Sequence, residues 1–256
     1  MGPRILIFDI ETSPNISYTW GKWQQNVIDF IEEWRILCIS WKWDGESAVH
    51  YCGQDSFAGY YRKNPKCDLK VVEKLHSLFD EADVIIAHNG DKFDRKKANG
   101  RFLLHNMEPP SPYKTVDTLK VARRQFALNS NKLTDLGKAL GLGQKVSHSG
   151  FDLWKGCMDG DPKKWAEMAR YAKQDVRLLS KVYKRMLPWI ENHPNYNLFF
   201  ASGDPVCPNC GSGPKHHMKR GISRNQTRSY QRFQCKKCSK YFRDSNCLAE
   251  YRGVVQ

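Results

Sequence analysis

Four apolar residues, Ile5-Leu6-Ile7-Phe8, run directly into Asp9-Ile10-Glu11-Thr12, and Ser13-Pro14 follows. A short apolar run rich in β-branched residues and closed by a turn dipeptide predicts a buried central strand. Residues i and i+2 of a strand project from one face, so Asp9 and Glu11 point the same way. Two carboxylates held side by side repel, and burial adds a desolvation penalty. A divalent cation relieves both. The strand therefore predicts a metal site built on it, with further ligands arriving from later parts of the chain.

The length of 256 residues suits one large domain and one small one. With 40% hydrophobic residues the chain can fill a sizeable core. No run approaches the roughly 18 apolar residues of a membrane span, and the start lacks a signal-peptide pattern. The expectation is a soluble protein of the reducing cytoplasm with no membrane partner. A net charge of +14 favours a polyanionic partner. The charge is uneven: residues 201–256 carry 11 Lys/Arg against 3 Asp/Glu, or +8, and the other 200 residues carry +6, from 30 minus 24. Cys38, Cys52, Cys67 and Cys157 are scattered and read as reduced thiols.

In chain order, residues 15–34 are irregular and aromatic, with Tyr18, Trp20, Trp23 and Trp34 as packing or base-stacking rings. Residues 35–43 and 48–52 read as second and third strands around the Asp44-Gly45 turn, giving an antiparallel meander. Residues 68–82 have helical spacing, and residues 83–87 form a buried strand that ends in His88-Asn89-Gly90. A helix follows, with Asp94 near its start. Val116-Asp117-Thr118-Leu119 reads as a short fifth strand entering a helix, and residues 133–142 as another helix. Residues 145–161 read as a polar connection. Pro162 then opens a long helix reaching about Trp189. Domains are expected at 1–192 and 206–256, with a linker at 193–205.

Three places carry carboxylates in a pattern: Asp9 with Glu11, Asp94 in Asn89-x-x-x-Phe93-Asp94, and Asp175 in Tyr171-Ala172-Lys173-Gln174-Asp175. Tyr171 and Asp175, four apart, share a face of the long helix with the apolar Met168, Leu178, Leu179 and Val182. No single basic residue presents itself as a partner for Asp175. Four carboxylates make a hard, oxygen-rich site that favours Mg²⁺ or Mn²⁺ over zinc. Two such ions about 4 Å apart activate a water and stabilise the leaving oxygen of a phosphodiester. A tyrosine with an ordinary pKa near 10 is a poor base at neutral pH, so Tyr171 is expected to orient the water. Asp91 competes with Asp94 for the second position, and Asp117 reads as a supporting or structural carboxylate.

These motifs, Phe8-Asp9-Ile10-Glu11-Thr12, Asn89-x-x-x-Phe93-Asp94 and Tyr171-x-x-x-Asp175, resemble the three exonuclease motifs of the DEDD superfamily. The tyrosine resembles its DEDDy branch, which includes polymerase proofreading domains. The likeness spans roughly residues 4–190. It implies an α/β, ribonuclease-H-like fold, a mixed five-stranded sheet flanked by helices, and metal-dependent 3′–5′ removal of nucleotides. It also implies that Asp9, Glu11 and Asp175 hold the metal binding the attacking water. Asp9 would bridge to the second metal, with Asp94 nearby through water, and Tyr171 would position the nucleophile. Asn89 and Phe93, with Thr12 of the first motif, would face the terminal nucleotide.

Cys207-Pro208-Asn209-Cys210-Gly211 and Cys235-Lys236-Lys237-Cys238 lie 24 residues apart. Two Cys-x-x-Cys pairs supply four thiolates for tetrahedral Zn²⁺ and resemble a zinc ribbon, with a hairpin strand over residues 228–234. His216, His217 and Cys247 are unneeded as ligands. So small a tail requires its metal to fold. Its cations, among them Arg220, Arg224, Arg228, Lys236 and Lys237, interleave with aromatic rings, as in proteins that grip nucleic acid. A protein-docking ribbon is the competing reading.

The expected function is a 3′–5′ exonuclease using two Mg²⁺ or Mn²⁺ and one structural Zn²⁺. Its expected partners are a nucleic acid with a free 3′ end, single-stranded favoured, and a replication or repair protein. The alternatives are a non-catalytic adaptor and an endonuclease on the same fold.

Overall fold

The computed structural model describes residues 2–23, 26–200 and 205–253. Two compact units emerge, one over Arg4–Val182 and the other taking the chain from Tyr183 onward. Residues 201–204 of the expected linker lie outside the described residues, as do 24–25 of the aromatic stretch.

The elements of the larger unit are, in order, β1 (Ile5–Thr12), β2 (Ile16–Tyr18), β3 (Asp29–Glu32), β4 (Ile36–Trp43) and β5 (His50–Gly53). Then come α1 (Ala58–Lys63), α2 (Leu69–Glu81), β6 (Val84–Ala87), α3 (Asp94–Leu104), β7 (Lys114–Asp117), α4 (Thr118–Gln125), α5 (Leu133–Ala139), α6 (Phe151–Met158) and α7 (Pro162–Met186). Five strands form one mixed sheet in the order β5-β4-β1-β6-β7. The antiparallel meander is present: β1 pairs with β4, and β4 with β5. β6 lies parallel to β1, and β7 parallel to β6. This is the mixed five-stranded sheet with flanking helices that the sequence predicts.

Composition explains the central position of β1 and β6. Ile5–Phe8 and all of Val84–Ala87 are buried, and strands covered on both faces require uninterrupted apolar runs. On one face α2 packs Val72, Leu75 and Phe79 against Leu6, Phe8 and Ile85, with Phe8 and Phe79 edge to face at 5.1 Å. On the other, Met168 and Ala172 of α7 pack with Leu37 and Cys38 of β4 and Leu153 and Cys157 of α6. After β1 the chain turns towards β4, and after β6 it turns towards β7, so a crevice opens beyond the carboxyl ends of two parallel neighbours. Open α/β sheets bind ligands at such a switch point.

The structure corrects two local expectations. The polar connection at 145–161 contains α6, whose buried Leu153 and Cys157 are one helical turn apart. Gly150, at φ +64°, and the polar flanks concealed that periodicity. The stretch at 15–34 contains β2 and β3, paired with each other and exposed along their length.

In the second unit, β8 (His217–Arg224), β9 (Arg228–Cys235) and β10 (Tyr241–Glu250) form an antiparallel sheet in the order β10-β9-β8. Its buried residues include Tyr183, Met186, Leu187, Ile190, Val206, Cys207, Asn209, Ser212, Tyr230 and Cys235. Gly211, at φ +67°, closes the first cysteine knuckle, and its N–H donates to the Cys207 carbonyl at 2.9 Å. The four-cysteine cluster is compatible with a zinc ribbon.

Candidate active site

Asp9, Glu11 and Asp175 come together, offering carboxylate oxygens within 4.8 Å of one another. β1 brings the first two on one face, and the buried side of α7 brings the third. Asp94 is also buried, acts electrostatically on Asp9 and Glu11, and accepts the Ile10 N–H through its Oδ1 at 3.3 Å. This bond ties the start of α3 to the backbone between Asp9 and Glu11.

The turn before α3 is tightly built. Asn89 adopts a left-handed conformation, φ +69°, and a side chain on Gly90 would strike the Ala87 Cβ at 2.4 Å. Asp117, at the end of β7, accepts N–H groups from Asn89 at 2.9 Å and Asp91 at 3.3 Å while capping α4 through Leu119 and Lys120. Asp117 is thus a supporting carboxylate. Asp91 faces away from this role and pairs with Lys120 at 2.5 Å and Arg95 at 3.8 Å.

The carboxylates feel one another. Desolvation, then Asp94, Glu11 and Asp175, raise Asp9 well above the usual carboxylate range. Desolvation and the charge of Asp175 push Glu11 up to about 8, and desolvation pushes Asp94 to about 7. Asp175 is also raised by burial, against the pull of Lys145 and a hydrogen bond from Tyr171. Burial and the neighbouring carboxylates raise the Tyr171 hydroxyl, so it acts as a hydrogen-bond donor rather than a base.

Asp175 does have a basic partner, contrary to the sequence expectation. The Lys145 ammonium bonds Asp175 Oδ2 and lies 3.3 Å from the Tyr171 hydroxyl. Burial disfavours its charge, but Asp175, Asp9 and Glu11 outweigh that and leave its pKa raised. The other oxygen, Asp175 Oδ1, is buried with no hydrogen-bond partner. An orphaned carboxylate oxygen beside two further carboxylates fits a divalent cation. Two rings wall Tyr171, His148 at 4.8 Å and Trp154 at 6.1 Å between centroids. The Trp154 side chain also hydrogen-bonds Glu11. Lys145, His148 and Trp154 all come from the stretch taken as a connection. The signal available was the apolar and aromatic Phe151-Asp152-Leu153-Trp154 within a largely polar segment.

Of the residues expected to face nucleic acid, Thr12 ends β1 and Phe93 is 40% exposed beside Asp94. Arg220 and Arg224 are exposed on β8 and Lys236 and Lys237 on the second knuckle, whereas Arg228 is paired with Glu250 at 2.5 Å. Cys207, Cys210, Cys235 and Cys238 form the one other cluster of potential metal ligands among the described residues. The Cys207–Cys238 and Cys210–Cys235 sulfurs lie 3.6 and 3.7 Å apart. Hydrogen bonding among the sulfurs pulls the Cys210 thiol down and pushes those of Cys207 and Cys238 up. His217 instead hydrogen-bonds the Ser212 carbonyl, at 3.0 Å.

The family model of the RNase H superfamily matches residues 43–187, more than half of the chain. The chain belongs to the RNase H superfamily. This RNase H superfamily chain is similar to a solved family B DNA polymerase from the hyperthermophilic archaeon Pyrobaculum calidifontis, with a TM-score of 0.53 and 17% identity. The match covers 73% of this chain and 25% of the polymerase, so the chain spans a quarter of that protein's length, and the likeness is one of fold. No curated protein matches the chain in sequence. No helix among the described residues of this RNase H superfamily chain is long and apolar enough to cross a membrane.

Proposed function

We propose that the chain is a 3′–5′ exonuclease of the DEDDy type, hydrolysing phosphodiesters at the free end of a nucleic-acid strand. One observation carries the reading: the Asp9–Glu11–Asp175 cluster includes a buried carboxylate oxygen with no partner. Two Mg²⁺ or Mn²⁺ ions held by Asp9, Glu11 and Asp175, with Asp94 alongside, would supply water activation and charge neutralisation at the leaving oxygen. The residues do the rest. The Tyr171 hydroxyl, held by His148 and Trp154, donates a hydrogen bond and orients the nucleophile. Lys145 holds a positive charge beside Asp175 and Tyr171 and stabilises negative charge developing there. Phe93 offers an exposed ring to the terminal base. Membership of the RNase H superfamily supports nuclease chemistry, and the tyrosine one helical turn before Asp175 supports the DEDDy assignment.

The cysteine cage would bind one Zn²⁺ and present the basic ribbon, residues 206–256, to the nucleic-acid backbone, in a protein of the domain plan 1–192, 193–205 and 206–256. The reading favours a single-stranded 3′ end, a soluble cytoplasmic setting and a replication or repair partner. The test is digestion of end-labelled single- and double-stranded DNA and RNA with Mn²⁺, including strands with a blocked 3′ end. Ordered shortening from the 3′ end, stopped by the block, by EDTA and by Asp9→Ala, is expected. Cutting of a circular substrate would instead establish an endonuclease. Binding without cleavage under every metal would leave an adaptor.

A further inference from the structure

The barest apolar surface of the larger unit is the two-stranded ribbon β2–β3. Trp20 and Trp23 are 86% and 87% exposed, and Tyr18, Ile28 and Phe30 are exposed beside them. Tyr18 stands opposite Asp29 in register, and the Ile28 N–H donates to the Tyr18 carbonyl at 3.0 Å. Isolated apolar residues on a surface are ordinary, but a cluster with two bare tryptophans marks a contact surface.

Two features connect this ribbon to the carboxylate cluster. It leaves β1 directly after the strand that carries Asp9 and Glu11, and its base is pinned: the Trp34 N–H donates to Asn15 Oδ1 at 2.8 Å and the Arg35 N–H to Ser13 Oγ at 2.9 Å. At the base a cation sits between two rings. Lys97 Nζ lies 3.5 Å from the Trp34 ring centroid and 5.1 Å from that of Phe93, the neighbour of Asp94. A second ring and ammonium pair lies between the two strands of the ribbon, with Lys22 5.3 Å over Trp23. Alternating rings and cations are how proteins hold unpaired strands.

The charges on the ribbon say which part of the strand it meets. Arg35 and Lys66 neutralise Glu32, but Asp29 and Glu33 carry no ion pair among the described residues. Phosphates would be repelled by those carboxylates, whereas base faces would not. We propose that the β2–β3 ribbon is a stacking platform for unpaired bases upstream of the nucleotide being removed. This rests on the reading of the cluster as a nuclease site. It names the substrate as a single-stranded segment, because the faces of paired bases are already occupied by their neighbours.

The test is binding by fluorescence anisotropy in EDTA, so that cleavage plays no part. The full chain is compared with a Trp20→Ala/Trp23→Ala variant on a single-stranded oligonucleotide and on the same strand with abasic upstream positions. The double variant is expected to bind the intact strand roughly 10- to 100-fold more weakly. It should bind the abasic strand as the wild type does, and the wild-type-to-variant ratio should not change with salt. Trp20→Phe/Trp23→Phe keeps the rings and should restore most of the affinity. Equal affinity of both alanine and wild-type chains for the intact strand overturns the proposal. So does an equal loss on both strands, or a wild-type dimer that the substitutions dissociate without affecting oligonucleotide affinity. End-labelled digestion by the wild type separately decides whether the cluster is a nuclease site.

Discussion

The molecule holds two clusters of potential metal ligands, and they are supported in opposite ways. The carboxylates sit on a sheet whose core is complete without them: β1, β4 and β6 are buried over most of their length, and α2 and α7 cover the faces. The cysteines sit in a unit with a smaller core, in which Cys207 and Cys235 are buried and Cys210 and Cys238 half-buried. In the first unit the fold positions the charges against their repulsion. In the second, on the zinc reading proposed above, an ion in the cage would help position the fold. The first site is therefore expected to lose stability by having its charges, and the second by losing its ion.

The sharpest break between them is metal removal. On the proposed zinc reading, chelation withdraws about 10–16 kcal/mol of binding energy, so the amide signals of residues 205–253 should collapse to unfolded positions while those of residues 4–182 stay dispersed. Persistent dispersion in both regions would end the contrast. The next test is Glu11→Gln, which should cost on the order of 10³-fold in hydrolysis yet raise the melting temperature of the metal-free protein by a few degrees. The direction follows from linkage. Glu11 titrates at about 8, above its ordinary value of 4.5, so its contribution to stability is full below 4.5 and is lost as pH rises through about 8. Metal-free melting temperature should therefore fall between pH 5 and 8, and Glu11→Gln should flatten the fall. Because a cation must displace the protons held on Glu11 and Asp94, Mn²⁺ should stabilise the wild type more at pH 8 than at pH 6.

A smaller effect is expected from Lys145→Met. It leaves the buried Asp175 without its cation and should destabilise the metal-free chain by about 1–3 kcal/mol, with the deficit narrowing at saturating Mn²⁺. An equal deficit with and without the ion would mean that Lys145 packs rather than compensates charge. The smallest is Lys236→Ala/Lys237→Ala, which should lower the salt slope of nucleic-acid binding by about 1–2 and leave the cage intact. An unchanged slope would count against the second unit as a nucleic-acid grip.

Much of the fold was legible because its strands obey period two or are apolar throughout, and its long helix carries a clear apolar face. The two carboxylates of β1 were legible for a related reason: charge at the end of an apolar run stands out. Lys145 was not. It is one of 41 Lys/Arg in the chain, and its place beside Asp175 depends on the path of a loop, which has no periodicity to read. α6 was hidden by its brevity and by Gly150 and Gly156, and β2 and β3 by having no buried side to impose alternation. The Ile10–Asp94 bond, which ties the start of α3 to β1, joins residues 84 positions apart and leaves no local trace.

The spacing of the cluster bears on synthesis. Asp175 follows Asp9 by 166 residues, and Tyr171 and Asp175 both lie on α7. At 5–20 residues per second, roughly 8–33 s separate translation of the first carboxylate from that of the last. Throughout that interval an emerging chain can fold β1 and its neighbours beside the ribosome's own RNA while lacking part of the cluster. No amino-terminal fragment that stops before α7 carries Tyr171 and Asp175, so on the proposed function a stalled or truncated copy would be inactive.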